Sequence, residues 1–471
     1  MPRLRESRPQ TRRRKYHVAV APKSQLLLAG VDCGPPLTVD HKRFVAGNRE
    51  QGWGGQLEAF LARNDAALKS LGVTHRITAG REGVQLELQP GLRVGAIPLR
   101  SGATGRVAGG LVVRPRFGWP GVGRVLRQTG WGSTPEFLDL PLVPGSGREV
   151  PPWVLAGPVI QRLAALLSNL RNGYTEREET RTSPRGRILW RPYLAQQITR
   201  GNWHKLPCSF SEFGSDRRLR EAIRWTLQHV HKDLLVAGVD DQVGLGLILQ
   251  LNQLLDSLND VTARRPDKTE LELDRRTNLG TEAVREGLRA MGWVVDERGL
   301  GGGRTSDGLA WSLPLERLWE RYVEQVVRND AAKTGGHLRI GRLAETVVPL
   351  PWNDSSHRAL GHLVPDFVIR RFDELEIVDA KYKSHFADLD ADQWYHLEES
   401  VRESMRSDIH QVLAYAAACG SAEKVRASLV YPVRRDLHER LMELGRDVST
   451  ANIPVGSRTV SVSIKALPFG V

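Results

Sequence analysis

The chain has 471 residues, too many for one ordinary hydrophobic core, which indicates about two or three domains. Hydrophobic residues make up 40% of it, as in globular proteins, and no apolar run is long enough to predict a transmembrane helix. The net charge of +13 favours a polyanionic partner, nucleic acid ahead of a membrane surface. The three cysteines lie far apart and predict neither a disulfide nor a zinc pattern, so we expect a cytoplasmic protein.

The N-terminal part divides into a tail and a domain. Residues 1–15 are basic and have no apolar core of a secretory signal, which predicts a disordered tail, with non-specific phosphate contact as the alternative. Residues 16–150 predict a β-rich domain, because short apolar runs such as VQLELQ (84–89) and GLVVRP (110–115) alternate with Gly and Pro. We interpret this domain as a contact surface for a partner or for DNA.

Residues 151–304 predict a mainly helical middle region. After PPW the pattern turns helical, with leucines recurring on one face of the segment 153–170. The stretch TNLGTEAVREGLRAMGWVVDERG (277–299) predicts a helix, a turn and a strand. The glycine run LGGGR (300–304) is typical of a hinge before the last domain.

A basic segment, TRTSPRGRILWRPY (180–193), interrupts this middle region. Two interpretations stay open for it: a surface that contacts DNA phosphates, or a solvated basic loop. The candidate phosphate contacts are Arg181, Arg185, Arg187 and Arg191.

Residues 305–471 predict an α/β domain with a mixed central sheet, which makes the whole chain a multidomain α+β protein. The segment LPLERLWERYVEQVVRND (313–330) has apolar residues at i, i+3, i+4 and i+7, which predicts an amphipathic helix with Glu320 at the edge of its apolar face. Strand-like segments, a second helix and the strand ASLVYPV (427–433) follow.

The stretch VPDFVIRRFDELEIVDAKYK (364–383) places charges on two predicted strands. In the second strand Asp379 and Lys381 point to the same face, because side chains alternate along a strand. The residues RFDEL (371–375) predict a hairpin, and this pairing brings Asp366 beside Asp379.

Two converging carboxylates repel each other unless a cation lies between them. A small set of hard oxygen ligands suits Mg²⁺, which keeps several waters and also binds phosphate. We therefore predict that Asp366 and Asp379 bind Mg²⁺, that Lys381 positions the attacking water or neutralises phosphate charge, and that Glu320 completes or adjusts the site.

This arrangement resembles the PD-(D/E)XK nuclease superfamily, through Pro365-Asp366 and Asp379-Ala380-Lys381. Downstream, SDIHQVLAYAAACG carries Asp408, Gln411 and Tyr415 on one predicted helix face as supporting residues. Together with LWERYV, SLVYPV and SPRGRILW, these motifs resemble the McrC family, the nuclease subunits of modification-dependent McrBC restriction systems.

The resemblance spans residues 150–435 with gaps and implies a Mg²⁺-dependent DNA endonuclease, with Mn²⁺ as a substitute ion and the Ala380 carbonyl as a further ligand. It also implies double-stranded DNA as substrate and a hexameric AAA+ GTPase of the McrB type as partner, which recognises modified DNA. No G-x-x-x-x-G-K-[ST] sequence occurs in the chain, so a motor activity is expected from a partner.

Two alternatives remain open. One keeps the nuclease but gives it a different motor or none. The other makes the chain a DNA-binding activator of a motor with a vestigial catalytic fold. The acidic segment HFADLDADQWYHLEES (385–400) and an asparagine missing after Asp216 are departures from the family pattern.

Overall fold

A computed structural model describes most of the chain. The described residues are 26–39, 53–80, 83–145, 150–170, 172–236, 242–269, 271–272, 281–295, 308–350, 352, 360–383, 399–419, 422, 424–456 and 458–470. The predicted tail (1–15), the glycine hinge (300–304) and nearly all of the acidic segment (385–400) lie outside them. Within the described residues, no helix is both long and apolar enough to cross a membrane.

The N-terminal part is built on two sheets. Its strands are β1 (Leu26–Val31), β2 (Leu37–Val39), β3 (Thr74–Gly80), β4 (Gly83–Gln89), β5 (Arg93–Arg100), β6 (Val107–Arg114) and β7 (Glu136–Phe137), and helix α1 (Trp53–Ser70) connects β2 to β3. Strands β2, β4 and β3 form a small antiparallel sheet, while β1 pairs in parallel with β6 and β6 antiparallel with β5. The β-rich prediction matches these strands, and α1 is an addition to it.

The middle of the chain contains five helices of at least eleven residues among the described residues. They are α2 (Gly118–Gln128), α3 (Pro152–Ser168), α4 (Arg217–Val236), α5 (Gln242–Asp256) and α6 (Glu282–Val295). In α4 the buried residues Ile223, Leu227, Val230 and Leu234 recur every three to four positions, so one face of the helix enters the core. Of the helix, turn and strand predicted over 277–299, the described residues 281–295 contain only the helix, because residues 293–295 continue α6. Val294 and Val295 are buried in the same core cluster as Met291.

The middle region also contains a three-stranded sheet that the sequence did not predict. Its strands are β8 (Asn172–Arg181), β9 (Arg187–Ile188) and β10 (Leu206–Ser215), and β8 pairs with β10 over ten antiparallel positions. Between β9 and β10, residues 190–200 form short helical turns. The sequence NGYTEREETR alternates charges without an apolar period, so the usual strand signal is missing.

The C-terminal part carries the predicted mixed sheet, in the order β12 (His337–Ile340), β15 (Phe367–Arg371), β16 (Glu374–Ala380), β17 (Lys424–Val433), β19 (Arg458–Pro468) and β18 (Val448–Val455). The short pair β13 (Val348–Pro349) and β14 (His362–Leu363) lies beside it. Its helices are α7 (Leu315–Thr334), α8 (Glu399–Cys419) and α9 (Arg435–Glu443). Neighbouring residues of β16 enter different cores, since Val378 packs with Trp319 of α7 and Ile377 with Val412 of α8.

Strand β11 (Trp311–Pro314) joins the N-terminal and C-terminal parts. It lies after the predicted boundary at residues 304–305, yet it pairs antiparallel with β5 and β7 of the N-terminal sheet. A Cβ added at Gly95 would collide with the Trp311 carbonyl oxygen, so the close pairing requires glycine there. One continuous core follows, in which Trp153, Trp311 and Trp319 are each at most 2% exposed.

Candidate catalytic centre

The β15–β16 hairpin brings the two predicted acids together. Phe367 lies opposite Val378, and continuing that antiparallel register by one residue places Asp366 opposite Asp379. The Asp366 carboxylate accepts a hydrogen bond of 2.8 Å from the Ala380 N–H. Asp379 is only 3% exposed, so the pair lies in an environment where charge is costly.

Lys381 follows β16 directly and contacts Asp379 and helix α8. Its Nζ lies 2.6 Å from Asp379 Oδ2 and donates a hydrogen bond of 2.8 Å to Gln411 Oε1. Gln411 Nε2 in turn donates to the Tyr415 hydroxyl at 2.6 Å. The predicted helix face is therefore present and holds the lysine against Asp379.

Asp408 contacts Lys383 and Tyr431, two residues that were not predicted from the sequence. Its carboxylate accepts hydrogen bonds of 2.7 Å from Lys383 Nζ and from the Tyr431 hydroxyl, and it lies 3.8 Å from Lys381 Nζ. Lys383 was identifiable, because it lies two residues beyond Lys381 and therefore on the same side of the chain. Tyr431 comes from β17, and no local signal pointed to it.

Burial and neighbouring charges shift the pKa values of the acids and of the lysine. Burial, followed by the charge of Asp379, raises the pKa of Asp366 to about 7. Burial also raises the pKa of Asp379, although Lys381 opposes that effect. Burial alone would lower the pKa of Lys381, but Asp379 and Asp408 raise it above its usual value.

Glu320 lies on α7 and is partly buried. Burial raises its pKa, and its charge contributes to the raised pKa of Asp366. Glu320 thus acts on the acid pair through the electrostatic field. The next acid on the helix, Glu324, belongs to a separate cluster, because it forms ion pairs with Arg342 and Arg328 at 2.7 and 2.8 Å.

The donor set fits a hard divalent ion. Among the described residues no three His, Cys, Asp or Glu side chains converge as a ready metal cluster. Mg²⁺ requires only one or two carboxylates, because waters and substrate phosphates complete its shell. Asp379 Oδ2 is buried against Lys381 Nζ, and one Asp366 oxygen accepts from the Ala380 N–H, so the remaining carboxylate lone pairs are those that an ion would use. The Ala380 carbonyl remains a predicted ligand.

The four candidate DNA-binding arginines belong to the β8–β10–β9 sheet and the helical turns after it, not to the sheet that carries the acids. The guanidinium of Arg185 lies 4.2 Å from the centroid of the Phe210 ring, and Arg181 lies 3.3 Å from Glu179. Arg187 and Arg191 are exposed. The structure therefore places these arginines and the acid pair in two separate regions of the fold.

The fold is that of a multidomain α+β protein. Its C-terminal mixed sheet carries the acid–lysine cluster, which is a candidate hydrolytic centre. A family model described as McrBC 5-methylcytosine restriction system component matches residues 154–432, more than half of the chain. The chain belongs to this family of restriction system components, which confirms the resemblance seen in the sequence.

Two solved structures from Thermococcus gammatolerans are similar to the chain at low identity. A half-complex from a tetradecameric assembly of McrB AAA+ hexamers with bound McrC matches with 12% identity and a TM-score of 0.39, covering 95% of this chain and 96% of that chain. The McrBC complex matches with 11% identity and a TM-score of 0.27, covering 64% of this chain and 87% of that chain. No curated protein matches.

Proposed function

We propose that the chain is the McrC-like, Mg²⁺-dependent DNA endonuclease subunit of a restriction system directed against phage, with a C-terminal domain of the PD-(D/E)XK type. The observation that carries the proposal is the pairing of partly buried Asp366 with buried Asp379, which Lys381 contacts. A cluster of this kind is costly for folding, which supports a catalytic purpose. Membership of a restriction family supports DNA as the substrate.

The proposed chemistry is hydrolysis of a phosphodiester bond. Water oxygen bonds to phosphorus while one P–O ester bond breaks, and the leaving sugar oxygen takes up a proton. Asp366 and Asp379 would hold the ion, which would polarise the phosphate. Lys381 carries a positive charge next to Asp379 and is placed to orient the attacking water or to stabilise the charge that develops on the phosphate oxygens. Gln411 fixes the lysine, and Tyr415 fixes Gln411.

The partner that we propose is a hexameric AAA+ GTPase of the McrB type, which recognises modified double-stranded DNA and licenses cutting. Family membership supports this division of labour. Arg181, Arg185, Arg187 and Arg191 remain proposed phosphate contacts, because a basic, largely exposed segment attracts the DNA backbone.

The experiment compares Asp379→Ala with Asp373→Ala. Asp373 lies in the turn of the same hairpin and is half exposed, 3.8 Å from Lys424, so it controls for the loss of a carboxylate on this element. Cleavage of methylated plasmid is measured with Mg²⁺, in the presence of a McrB-type protein and GTP. We expect Asp379→Ala to reduce the rate by at least about 10²-fold, because a transition-state electrostatic contact is lost, and to leave DNA binding unchanged.

Three results would change the proposal. Cleavage by Asp379→Ala at the wild-type rate removes the site assignment. Equal wild-type cleavage with and without the AAA+ protein favours a nuclease that acts alone or with another motor. Stimulation of the motor's nucleotide hydrolysis without any cleavage by the wild type favours an activator with a vestigial catalytic fold.

A further inference from the structure

A buried polar cluster links the N-terminal sheet to the residues beside Lys381. The Tyr382 hydroxyl donates a hydrogen bond of 2.8 Å to Asp32 Oδ2, across 350 positions of sequence. Arg116 Nη2 donates to the Lys383 carbonyl at 2.8 Å. Asp32 is 1% exposed and Tyr382 is 3% exposed, so their hydrogen bond is shielded from water, while the Arg116–Lys383 contact is partly buried.

The N-terminal side of this cluster is held rigidly by its own sheet. Asp32 and Arg116 both follow the carboxyl ends of parallel neighbours, β1 and β6. The Asp32 N–H donates to the Arg114 carbonyl at 3.0 Å, and the Arg116 N–H donates to Asp32 Oδ1 at 2.6 Å. Arg116 Nε lies 3.5 Å from Asp32 Oδ2, so the two charges compensate each other inside the protein.

The aromatic surroundings keep Tyr382 in place independently of its hydroxyl. The Arg116 guanidinium lies 4.5 Å from the centroid of the Tyr382 ring and 4.8 Å from that of Phe117. Phe117 stacks on Phe469 with centroids 4.7 Å apart, and Phe469 contacts the Tyr382 ring edge-on at 6.1 Å. Removing the hydroxyl alone therefore leaves a packed ring.

Anchoring Tyr382 fixes the direction of the two lysines next to it. The Lys381 N–H still donates to the Val430 carbonyl, so the chain is extended where it leaves β16. In extended chain the side chains alternate, so Tyr382 on the N-terminal side sends Lys381 and Lys383 to the α8 side. There they reach Gln411 and Asp408.

We propose that Asp32 and Arg116 are positioning residues for catalysis: through Tyr382 and the Lys383 carbonyl, the N-terminal sheet sets the geometry of Lys381. This inference rests on the proposed nuclease function. The proposed link makes cleavage by the C-terminal site depend on the position of the carboxyl ends of β1 and β6. A shift of these strand ends moves Lys381 relative to Asp379, while the positions of Asp366 and Asp379 stay the same.

The test uses the full chain with Tyr382→Phe, which deletes one hydrogen bond and keeps the buried Asp32–Arg116 pair. The control is Asn64→Ala. Asn64 is 1% exposed and hydrogen-bonds to Phe60 and Arg100, so its loss weakens the same N-terminal part without a contact to residues 381–383. Asp379→Ala and the wild type are assayed alongside under the cleavage conditions given above.

We expect Tyr382→Phe to lower kcat by at least about tenfold with an unchanged KM for DNA, because a small misplacement of a catalytic group costs up to about 10²-fold. Amide hydrogen exchange in peptides covering residues 375–383 rises in this variant. In Asn64→Ala, kcat stays within about twofold of the wild type and exchange in these peptides is unchanged, even where the melting temperature falls.

If Tyr382→Phe leaves kcat and hydrogen exchange unchanged and Asp379→Ala is inactive, the positioning role is overturned but the proposed nuclease function is retained. Equal losses of kcat in Tyr382→Phe and Asn64→Ala also overturn it, because a merely structural role then explains both. Wild-type cleavage that persists in Asp379→Ala overturns the proposed function itself, so the two failures are distinguishable.

Discussion

Asp366 is partly buried and lies beside a like charge. Burial and Asp379 raise its pKa from 3.8 to about 7, against the opposing hydrogen bond from the Ala380 N–H. The ionised carboxylate is therefore disfavoured in the folded, metal-free protein. A cation held by Asp366 and Asp379 would offset this penalty, since it would compensate both charges.

The raised pKa predicts how stability depends on pH. The unfolded chain ionises Asp366 near pH 4 and the folded protein near pH 7, so the stability that the protonated group contributes is present below pH 4 and is lost as the pH rises through 7. In EDTA, we expect this group to lower the free energy of unfolding by about 3 kcal/mol between pH 5 and 8. Denaturant titrations at several pH values measure the slope of the free energy of unfolding against pH.

The matched variants for this slope are Asp366→Asn and Asp373→Asn. Asp366→Asn flattens the pH dependence because the titrating group is gone, whereas Asp373→Asn, half exposed on the same hairpin, leaves it as in the wild type. Adding Mg²⁺ to the wild type flattens it as well. A wild-type slope in Asp366→Asn contradicts the assignment of the titration to this residue.

Sequence reasoning found the residues of the site that follow local geometry. Asp366, Asp379 and Lys381 were predictable because a hairpin and the alternation of side chains bring them together. Asp32 was not, because its contact with Tyr382 spans 350 positions and no periodic pattern records such a pairing. The helix face with Gln411 was predictable from a spacing of three to four residues.

At the scale of elements, helix α3 depends on a glycine that lets an aromatic ring approach. A Cβ added to Gly157 would collide with the ring of Trp131. Gly292 of α6, in contrast, has no atom within 4 Å of an added Cβ. Replacing these two helical glycines with alanine is therefore expected to change stability in opposite directions.

We expect Gly157→Ala to destabilise the protein by about 1–3 kcal/mol, since overpacking displaces Trp131 or bends α3. Gly292→Ala stabilises it by up to about 1 kcal/mol, because alanine restricts the unfolded chain and favours the helix. Chemical denaturation of both variants measures the difference. A stabilising Gly157→Ala would show that the Trp131 ring moves freely.

Strand β8, which the sequence did not predict, lacks an apolar period. Helix α7 was predicted because its apolar residues recur at helical spacing. The hairpin β15–β16 was predicted from two strand-like apolar segments joined by a short turn, although β16 is buried on both faces. The strand β8 carries charged and hydroxyl side chains along most of its length, and its partner β10 lies more than twenty residues further along the chain. Its stability comes from backbone pairing, which composition does not reveal.

At the scale of the whole molecule, β11 joins parts of the chain that the sequence predicted to be separate domains. Trp311 pairs with Ala96 of the N-terminal sheet, and the helix α7 begins four residues later. The predicted boundary at 304–305 therefore separates β11 from its partners. Such pairing over more than two hundred residues has no local sequence signal.

A fragment of residues 305–471 is expected to be unstable. It exposes Trp311, Leu313 and Leu315, each at most 1% exposed in the full chain, and has no strand to pair with β11. Expressed alone, it aggregates or lacks a cooperative thermal transition by circular dichroism. Co-expression with residues 1–304 restores a soluble complex. A monomeric fragment that melts at the temperature of the full chain contradicts this expectation.

The long link between Asp32 and Tyr382 has a consequence for synthesis. Asp32 emerges from the ribosome about 350 residues before its partner Tyr382. Asp366 and Asp379 emerge only after the N-terminal sheet and β11 have been synthesised. A nascent chain thus has no complete acid–lysine cluster until the last quarter of translation. If this cluster is the proposed cutting centre, products that terminate before Asp366 lack it altogether.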